Sequence, residues 1–179
     1  GLGDVYKRQG SEMCIRDRRN NKIYKKFSDH IGFIPLVIIS PDDRNLIIEG
    51  SETRRKFIDG LISQVDKEYL SKLIDYNKTL KQRNALLKMF FNQTDKLKKT
   101  IDLYDNSLSS SASIIFNKRS EFLKDFVPIF KKRYKQLINE KESVEIEYKS
   151  DIKNQSSLHD LLKNNLEKDI RYQYTTNGI

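Results

Sequence analysis

Cysteine, proline, glycine and tryptophan are scarce in this chain of 179 residues. It has one cysteine, three prolines, seven glycines and no tryptophan. A single cysteine excludes both a disulfide within the chain and a zinc site built from several thiolates, and it fits a reducing compartment. The shortage of proline and glycine argues against a turn-rich fold and favours long regular elements.

Long apolar runs are missing as well. The sequence has no stretch of about 18 apolar residues, the minimum for a membrane-spanning helix. It also lacks the basic, apolar and small-residue regions of a secretory signal peptide. We therefore expect a cytoplasmic protein with no membrane partner.

The first 18 residues, GLGDVYKRQGSEMCIRDR, follow neither a helical nor a strand period and hold the single cysteine. One nucleotide string, GGGCTCGGAGATGTGTATAAGAGACAG, encodes residues 1–9, and a shifted frame of the same string encodes residues 10–18. Such a pair is most simply a translated sequencing adapter, so residues 1–18 are excluded from fold reasoning. We expect them to be irregular and to make no core contacts. A genuine disordered basic tail is the alternative.

The remaining 160 or so residues are long enough for one domain with a core. The chain contains 34 Lys and Arg against 25 Asp and Glu, a net charge of +9. Charged residues and large aliphatic residues alternate at helical spacing over long stretches. This pattern predicts long amphipathic helices.

Three helices are predicted in the middle of the chain. Ser51 can cap a helix over 53–63, and Asp66 can cap a helix from 67 to about 98. The second of these has an apolar seam in steps of three and four: Leu70, Leu73, Asn77, Leu80, Asn84, Leu87 and Phe91. A further seam runs through Ile101, Tyr104, Leu108, Ile115, Phe122, Phe126, Ile129, Tyr134 and Leu137. Two such helices in succession predict an antiparallel helical hairpin, which we term the arm.

Two features are expected to interrupt the second arm helix. Pro128 lacks the amide hydrogen that a helix interior needs, so a kink or break is expected over 124–128. The serine-rich stretch 107–113 has low helix propensity and weakens the same helix.

Strands are predicted on either side of the arm. The apolar run 31–39 reads as a strand buried on both faces and ended by Pro41. The alternation in 144–148 predicts a half-buried strand, and 172–176 a further one. Between them, Ser157 begins a helix that ends near Asp169. The predicted fold is mainly α with a few strands, an α+β arrangement.

Few residues carry a recognisable chemistry. The acids of Ile38-Ile-Ser-Pro-Asp-Asp43 resemble a magnesium-binding strand end, but Ser40 and Pro41 favour a turn there. His30 and His159 have no metal-ligand partner at a suitable spacing. No glycine-rich phosphate loop and no nucleophile elbow occurs. The sequence therefore predicts no catalytic residue, no metal ligand and no cofactor-binding residue.

Two basic groups are candidates for contact with DNA phosphates. Arg54 and Arg55 fall in the first turns of one helix, and Lys81 and Arg83 lie on the long helix. Lysine and arginine neutralise phosphates and release counterions. The alternative is a solvated helix face with ion pairs. Arg55 and Arg83 could instead pair with a carboxylate such as Asp59 or lock two lobes together.

Several of these stretches resemble the RecF family of recombination and repair ATPases. The matching runs are Ile38-Ile-Ser-Pro-Asp-Asp43, Glu49-Gly-Ser-Glu-Thr-Arg-Arg-Lys-Phe-Ile-Asp59 and Tyr76-Asn-Lys-Thr-Leu-Lys-Gln-Arg-Asn-Ala-Leu-Leu87. Looser matches continue through Lys118-Arg-Ser-Glu-Phe-Leu123, 126–130 and 144–148. The stretch Ser109-Ser-Ser-Ala-Ser113 departs from the pattern.

The resemblance implies a two-lobed ATPase head of the ABC and SMC type that carries the helical arm. In such a family ATP and magnesium bind the first lobe and ATP drives homodimerisation. The family engages gapped or single-stranded DNA and, with RecO and RecR, promotes loading of RecA. On this basis residues 19–50 end the first lobe, 51–142 form the arm, and 143–179 return to the sheet domain.

The family's nucleotide-binding motifs have no counterpart here, so the chain is expected to be an internal fragment without enzymatic activity of its own. The parent family is a DNA-dependent ATPase. A second hypothesis is that the chain is the interaction arm of another SMC-like protein with no DNA-binding role.

Overall fold

The computed structural model describes residues 18–19, 22–23, 28, 30–90, 92, 94–138, 142–152 and 157–179. These residues are mainly helical, which confirms the predicted class. The helices are α1 (Asn45–Ile48), α2 (Ser51–Val65), α3 (Lys67–Met89), α4 (Thr94–Ile138), α5 (Leu158–Asn164) and α6 (Leu166–Tyr172). The strands β1 (Arg18–Arg19) and β2 (Lys22–Ile23) form a two-residue antiparallel pair. Of residues 1–18, predicted to be irregular, 1–17 lie outside the described residues, whereas Arg18 belongs to β1.

Helices α3 and α4 pack side by side as the predicted arm, and α2 and α5 pack against them. The larger core cluster consists of Ile62, Tyr69, Tyr76, Leu108, Ala112, Ile115, Leu158 and Leu162. A smaller cluster joins the two arm helices near their connection and contains Leu87, Leu97 and Ile101, with Leu166 and Ile170 of α6 against it. Burial of these apolar side chains holds the helices together.

In two turns of α3, the buried residue is the one immediately before the predicted seam residue. Tyr76 and Arg83 are buried, whereas Asn77 is exposed and Asn84 is half-buried. Arg83 was not part of the predicted seam, and arginine is rarely buried without partners. On α4, Ile129 and Leu137 are exposed by 62% and 81%, so the apolar seam is shorter than predicted.

Helix α4 continues through both features that were expected to interrupt it. The serine-rich stretch 107–113 is helical throughout, and Pro128 lies inside the helix. Leu108 and Ala112 of this stretch, and Ile115 just after it, are buried in the core. Tertiary packing of the apolar face outweighs the low intrinsic propensity of serine, because propensity differences are only fractions of a kcal/mol per residue, about 0.5.

The three predicted strands are not formed within the described residues. The run 31–39 has no ladder partner, and Ile38 and Ile39 are exposed by 74% and 88%. Residues 144–148 are not in a ladder, although their side chains alternate between half-buried and exposed as in a strand. Tyr172 ends α6, and 174–179 are irregular. A strand needs a neighbour for its backbone groups, and the described part of the chain supplies none.

The segment before α1 turns closely over the end of α2. Gly32 has a φ of +77°, and a Cβ atom there would lie 2.1 Å from the carbonyl oxygen of Gln64. The Leu36 amide donates to Gln64 Oε1 at 2.8 Å. The predicted turn at Pro41 is a 3-10 helix over Pro41–Arg44, and the Asp43 carboxylate accepts from the Ser40 amide at 2.6 Å.

The predicted helix after Ser157 forms as two short helices with a break at Asn165. The Ser157 hydroxyl accepts from the Asp160 amide at 3.2 Å, as expected for a helix cap. The last turn ends at Gln173, whose φ of 58° is left-handed. None of the helices in the described part of the chain is long and apolar enough to cross a membrane.

Candidate nucleic-acid interface

Arg54 lies at the start of α2 with an exposed side chain. Its Nη1 donates to the carbonyl oxygens of Leu46 and Glu49, each at 3.0 Å, at the end of α1. A positive charge at a helix C-terminus is favourable because the free carbonyl groups there carry partial negative charge. The guanidinium has further N–H groups, so Arg54 can join α1 to α2 and still donate a hydrogen bond to a phosphate.

Arg55 is half-buried and lines an open groove of about 1010 Å³. The opposite sides of this groove are formed by 147–152 and by the C-terminal residues Thr176, Gly178 and Ile179. Asp151 of the same groove accepts from the Gly178 amide at 3.1 Å. Arg55 therefore faces a mixed polar surface and does not pair with Asp59.

Lys81 is exposed on α3, and it makes no ion pair within the described residues. Its neighbour Asn84 points the other way. The Asn84 side-chain oxygen accepts from both the amide and the hydroxyl of Thr175, at 2.8 and 2.7 Å. Lys81 is thus available to a ligand, while Asn84 attaches the C-terminal segment to the arm.

Arg83 is fully buried and belongs to a different kind of site. Its Nε donates to Asp105 at 2.6 Å, and its Nη1 donates to Asp169 at 2.6 Å and to the Thr175 hydroxyl at 2.9 Å. Burial raises the pKa of Asp105, and the Arg83 hydrogen bond opposes that rise. The second terminal nitrogen, Nη2, has no hydrogen-bond partner among the described residues.

The Arg83 cluster joins α3, α4, α6 and the C-terminal segment. Asp169 also accepts from the amide and hydroxyl of Thr176, at 2.8 and 2.7 Å. A guanidinium held in this way cannot reach a phosphate unless two buried carboxylates are left unpaired. The structure thus places Arg83 in a buried ion-pair cluster, as in the alternative of pairing with a carboxylate, although its partners are Asp105 and Asp169 and not Asp59.

A second buried arginine, which the sequence analysis did not single out, lies on α4. Arg119 donates from Nε and Nη2 to the two oxygens of Asp59, at 2.8 and 2.9 Å. The Tyr69 hydroxyl also donates to Asp59, and burial raises the Tyr69 pKa. The Asp59 ion pair raises the pKa of Arg119 against the opposing effect of burial.

The two arginine clusters lie well apart on the arm. Tyr69 belongs to one and Arg83 to the other, and at about 1.5 Å per residue they are roughly 21 Å apart along α3. Asp59 is the last residue of the run Arg54-Arg-Lys-Phe-Ile-Asp59, and Arg119 lies in Lys118-Arg-Ser-Glu-Phe-Leu123. Both runs are among the stretches that resemble the RecF family. That shared resemblance is the sequence signal from which a contact between Asp59 and Arg119 could have been predicted.

The two histidines do not form a metal site. His159 Nε2 lies 3.0 Å from the Asp102 carboxylate at the surface of the arm. Within the described residues no group of three or more histidine, cysteine, aspartate or glutamate side chains is placed to hold a metal ion. Of the four predicted DNA contacts, the structure leaves Arg54, Arg55 and Lys81 accessible and encloses Arg83.

Comparison with known protein sequences matches the chain to RecF proteins. The DNA replication and repair protein RecF of Flavobacterium johnsoniae is 50% identical over 162 residues, which cover 90% of this chain and 45% of that protein. RecF of Bacteroides thetaiotaomicron is 43% identical over 162 residues, 90% of this chain and 43% of that protein. No family model matches the chain.

Comparison with solved structures also matches the chain to RecF. A structure of the recombination mediator protein RecF with an ATP analogue, from the RecFOR pathway, superimposes with a TM-score of 0.80 at 30% identity. A RecF–ATP structure gives a TM-score of 0.77 at 30% identity. Each match covers 89% of this chain and 44% of the solved one. These matches confirm the resemblance to the RecF family over about 90% of this chain, which spans less than half of its relatives' length.

Proposed function

We propose that the chain is the helical lobe of a RecF-type protein of DNA replication, recombination and repair. The whole protein would bind ATP, engage gapped or single-stranded DNA and, with RecO and RecR, promote loading of RecA. The observation that carries the proposal is 50% identity over 162 residues together with a TM-score of 0.80 to a RecF structure. The division at residues 50 and 142 is part of this proposal.

We propose that the chain has no nucleotide site of its own. The sequence has no glycine-rich phosphate loop, and the described part has no acidic cluster suited to magnesium. We therefore expect the 179-residue chain alone to bind no ATP in equilibrium dialysis. In the proposed whole protein, ATP and magnesium would bind residues outside the matched stretch and drive homodimerisation.

The contribution of this lobe would be contact with DNA phosphates. The chain carries a net charge of +9, and three candidate cations remain accessible: Arg54, Arg55 and Lys81. Cations on a helical surface bind the backbone of any sequence, because phosphates carry no sequence information. Weak binding without sequence preference is therefore expected.

The test is fluorescence anisotropy with labelled single-stranded, duplex and gapped DNA over a range of salt concentrations. The logarithm of the affinity should fall linearly with the logarithm of salt concentration, by about 0.9 per phosphate contacted on duplex. Neutralising Arg54, Arg55 or Lys81 to glutamine should reduce this slope by roughly one for each residue that contacts a phosphate. Lys124→Gln, an exposed residue of α4, is the matched control. Affinity that does not depend on salt would remove the DNA-binding role from this lobe.

A further inference from the structure

A second open groove lies between the two arm helices, away from the candidate cations of α2. It has a volume of about 300 Å³. Its lining is polar throughout and consists of Lys72, Asp75, Lys78, Thr79 and Gln82 of α3 with Ser107, Ser110 and Ser111 of α4. Two of the three serines on the α4 side, Ser110 and Ser111, belong to the stretch that departs from the family pattern.

The serines keep this groove open and lined with hydroxyl groups. Serine is a poorer helix former than alanine or leucine, so helix stability does not explain several of them within one stretch of α4. A large aliphatic side chain at these positions would fill the space between the helices. Small polar side chains leave hydrogen-bonding groups exposed to a ligand.

Ser111 is the most informative of the three. Its side chain is enclosed by the arm, with only 6% of the residue exposed, yet it lines the groove. Its hydroxyl has no hydrogen-bond partner within the described residues. The Ser111 oxygen is not among the fully enclosed atoms without a partner, which are Ser63 Oγ and Arg83 Nη2 in the described residues, so it opens to the groove and can donate to a ligand there.

The charges around the groove favour an anion. Lys72 and Lys78 flank it, and neither has an ion-pair partner in the described part of the chain. Asp75 is the only carboxylate in the lining and opposes this preference. Lys81 lies one helical turn beyond Lys78 on the same helix, so the positive surface continues past the groove.

We propose that this groove binds a phosphate of a nucleic-acid backbone, with Lys72 and Lys78 supplying charge and Ser111, Ser110 and Thr79 donating hydrogen bonds. The proposal rests on the proposed function and adds a second contact region to it. The lining contains no aromatic or aliphatic side chain, so the groove offers nothing for a base to stack on. Readout of base identity is therefore not expected.

Serine substitution separates a phosphate site from a merely structural role. Ser111→Ala and Ser110→Ala remove the hydroxyl while favouring the helix, so a structural role predicts unchanged DNA affinity and unchanged or higher melting temperature. A phosphate site predicts DNA affinity reduced roughly two- to tenfold by Ser111→Ala, the value of one hydrogen bond. The control is Ser113→Ala, at an exposed position of α4 outside the groove.

Lysine substitution tests the charge contribution. Lys72→Gln and Lys78→Gln in the 179-residue chain should each lower the salt slope of anisotropy-measured DNA binding by roughly one. Lys124→Gln, which removes the same charge from an exposed site on α4, should leave the slope close to that of the wild type. Added inorganic phosphate at matched ionic strength should compete with DNA more strongly in the wild type than in variants that lack either lysine.

The outcomes separate this proposal from the one on which it rests. If the wild type does not bind DNA, both proposals are overturned. If it binds with a salt slope that Arg54, Arg55 and Lys81 variants reduce, but the Ser111, Lys72 and Lys78 variants leave affinity and slope unchanged, only the groove is rejected. Lower affinity in the Ser111 variant and a lower salt slope in the Lys72 and Lys78 variants, with both controls unchanged, support it.

Discussion

At the residue scale, the structure separates cations of two kinds that look alike in the sequence. Arg83 and Arg119 are buried and each pairs with aspartate, whereas Arg54 and Lys81 are exposed. Position in a family motif does not distinguish them, because a motif can preserve a core ion pair as well as a binding site. Seam spacing gives a partial signal: Arg83 follows Tyr76 by seven residues, and both are buried.

The buried Arg83 cluster leads to a stability prediction. Arg83→Met removes the charge while keeping most of the side-chain volume, and it leaves Asp105 and Asp169 unpaired in the core. Loss of one partner from a buried ion pair costs about 3 to 5 kcal/mol, so we expect the free energy of unfolding in urea to fall by that amount. Lys81→Met, at the exposed neighbouring position, should change it by less than about 0.5 kcal/mol. Similar effects of the two substitutions would contradict the buried assignment.

At the element scale, the sequence predicts helices better than strands. Helix α2 and the start of α3 lie close to their predicted positions because the apolar period and the cap at Asp66 are local signals. Two details were wrong: Ser51 is the first residue of α2 and not its cap, and α3 ends at Met89 and not near residue 98. A strand forms only where another strand pairs with it, and that partner can be distant in the sequence. The alternation in 144–148 and the apolar run in 31–39 were therefore not enough to predict strands. The prediction that the serines of 107–113 weaken α4 failed for a similar reason, because packing against α3 decides the conformation of this stretch.

The start of α3 leads to a prediction of pH dependence. Asp66 caps this helix by accepting from the Tyr69 amide at 2.9 Å, and it pairs with Lys118 of α4 at 2.8 Å. The Lys118 hydrogen bond, followed by that of Tyr69, lowers the pKa of Asp66 below 3.8. Its contribution to stability is therefore present above pH 3.8 and is lost as pH falls through the lower, folded-state pKa.

Asp66→Asn isolates the charge, because asparagine caps a helix about as well as aspartate. Both side chains of the ion pair are partly exposed, at 35% and 23%, so we expect a difference of only about 0.5 kcal/mol near pH 7. Urea unfolding at pH 7 and pH 3 should show the difference shrinking at acid pH. A difference that stays constant or grows at pH 3 would show that the Asp66 charge does not stabilise the fold.

At the scale of the whole molecule, an exposed apolar surface remains on one side of the helical core. Ile34, Val37, Ile38, Ile39 and Ile47 are each at least 70% exposed. An exposed patch of this kind normally marks a contact surface. The relatives are more than twice as long as the matched stretch, and we expect the run 34–39 to be covered where that further length is present.

The central claim is that this chain serves as the helical lobe of a RecF-type protein. The direct measurement is a chimera in which the chain replaces the matched stretch of Flavobacterium johnsoniae RecF, which is 50% identical to it. The purified chimera should bind gapped DNA in anisotropy measurements with an affinity close to that of the unaltered RecF, and its binding should respond to ATP in the same way. A chimera that unfolds cooperatively and binds ATP but does not bind gapped DNA would contradict the claim.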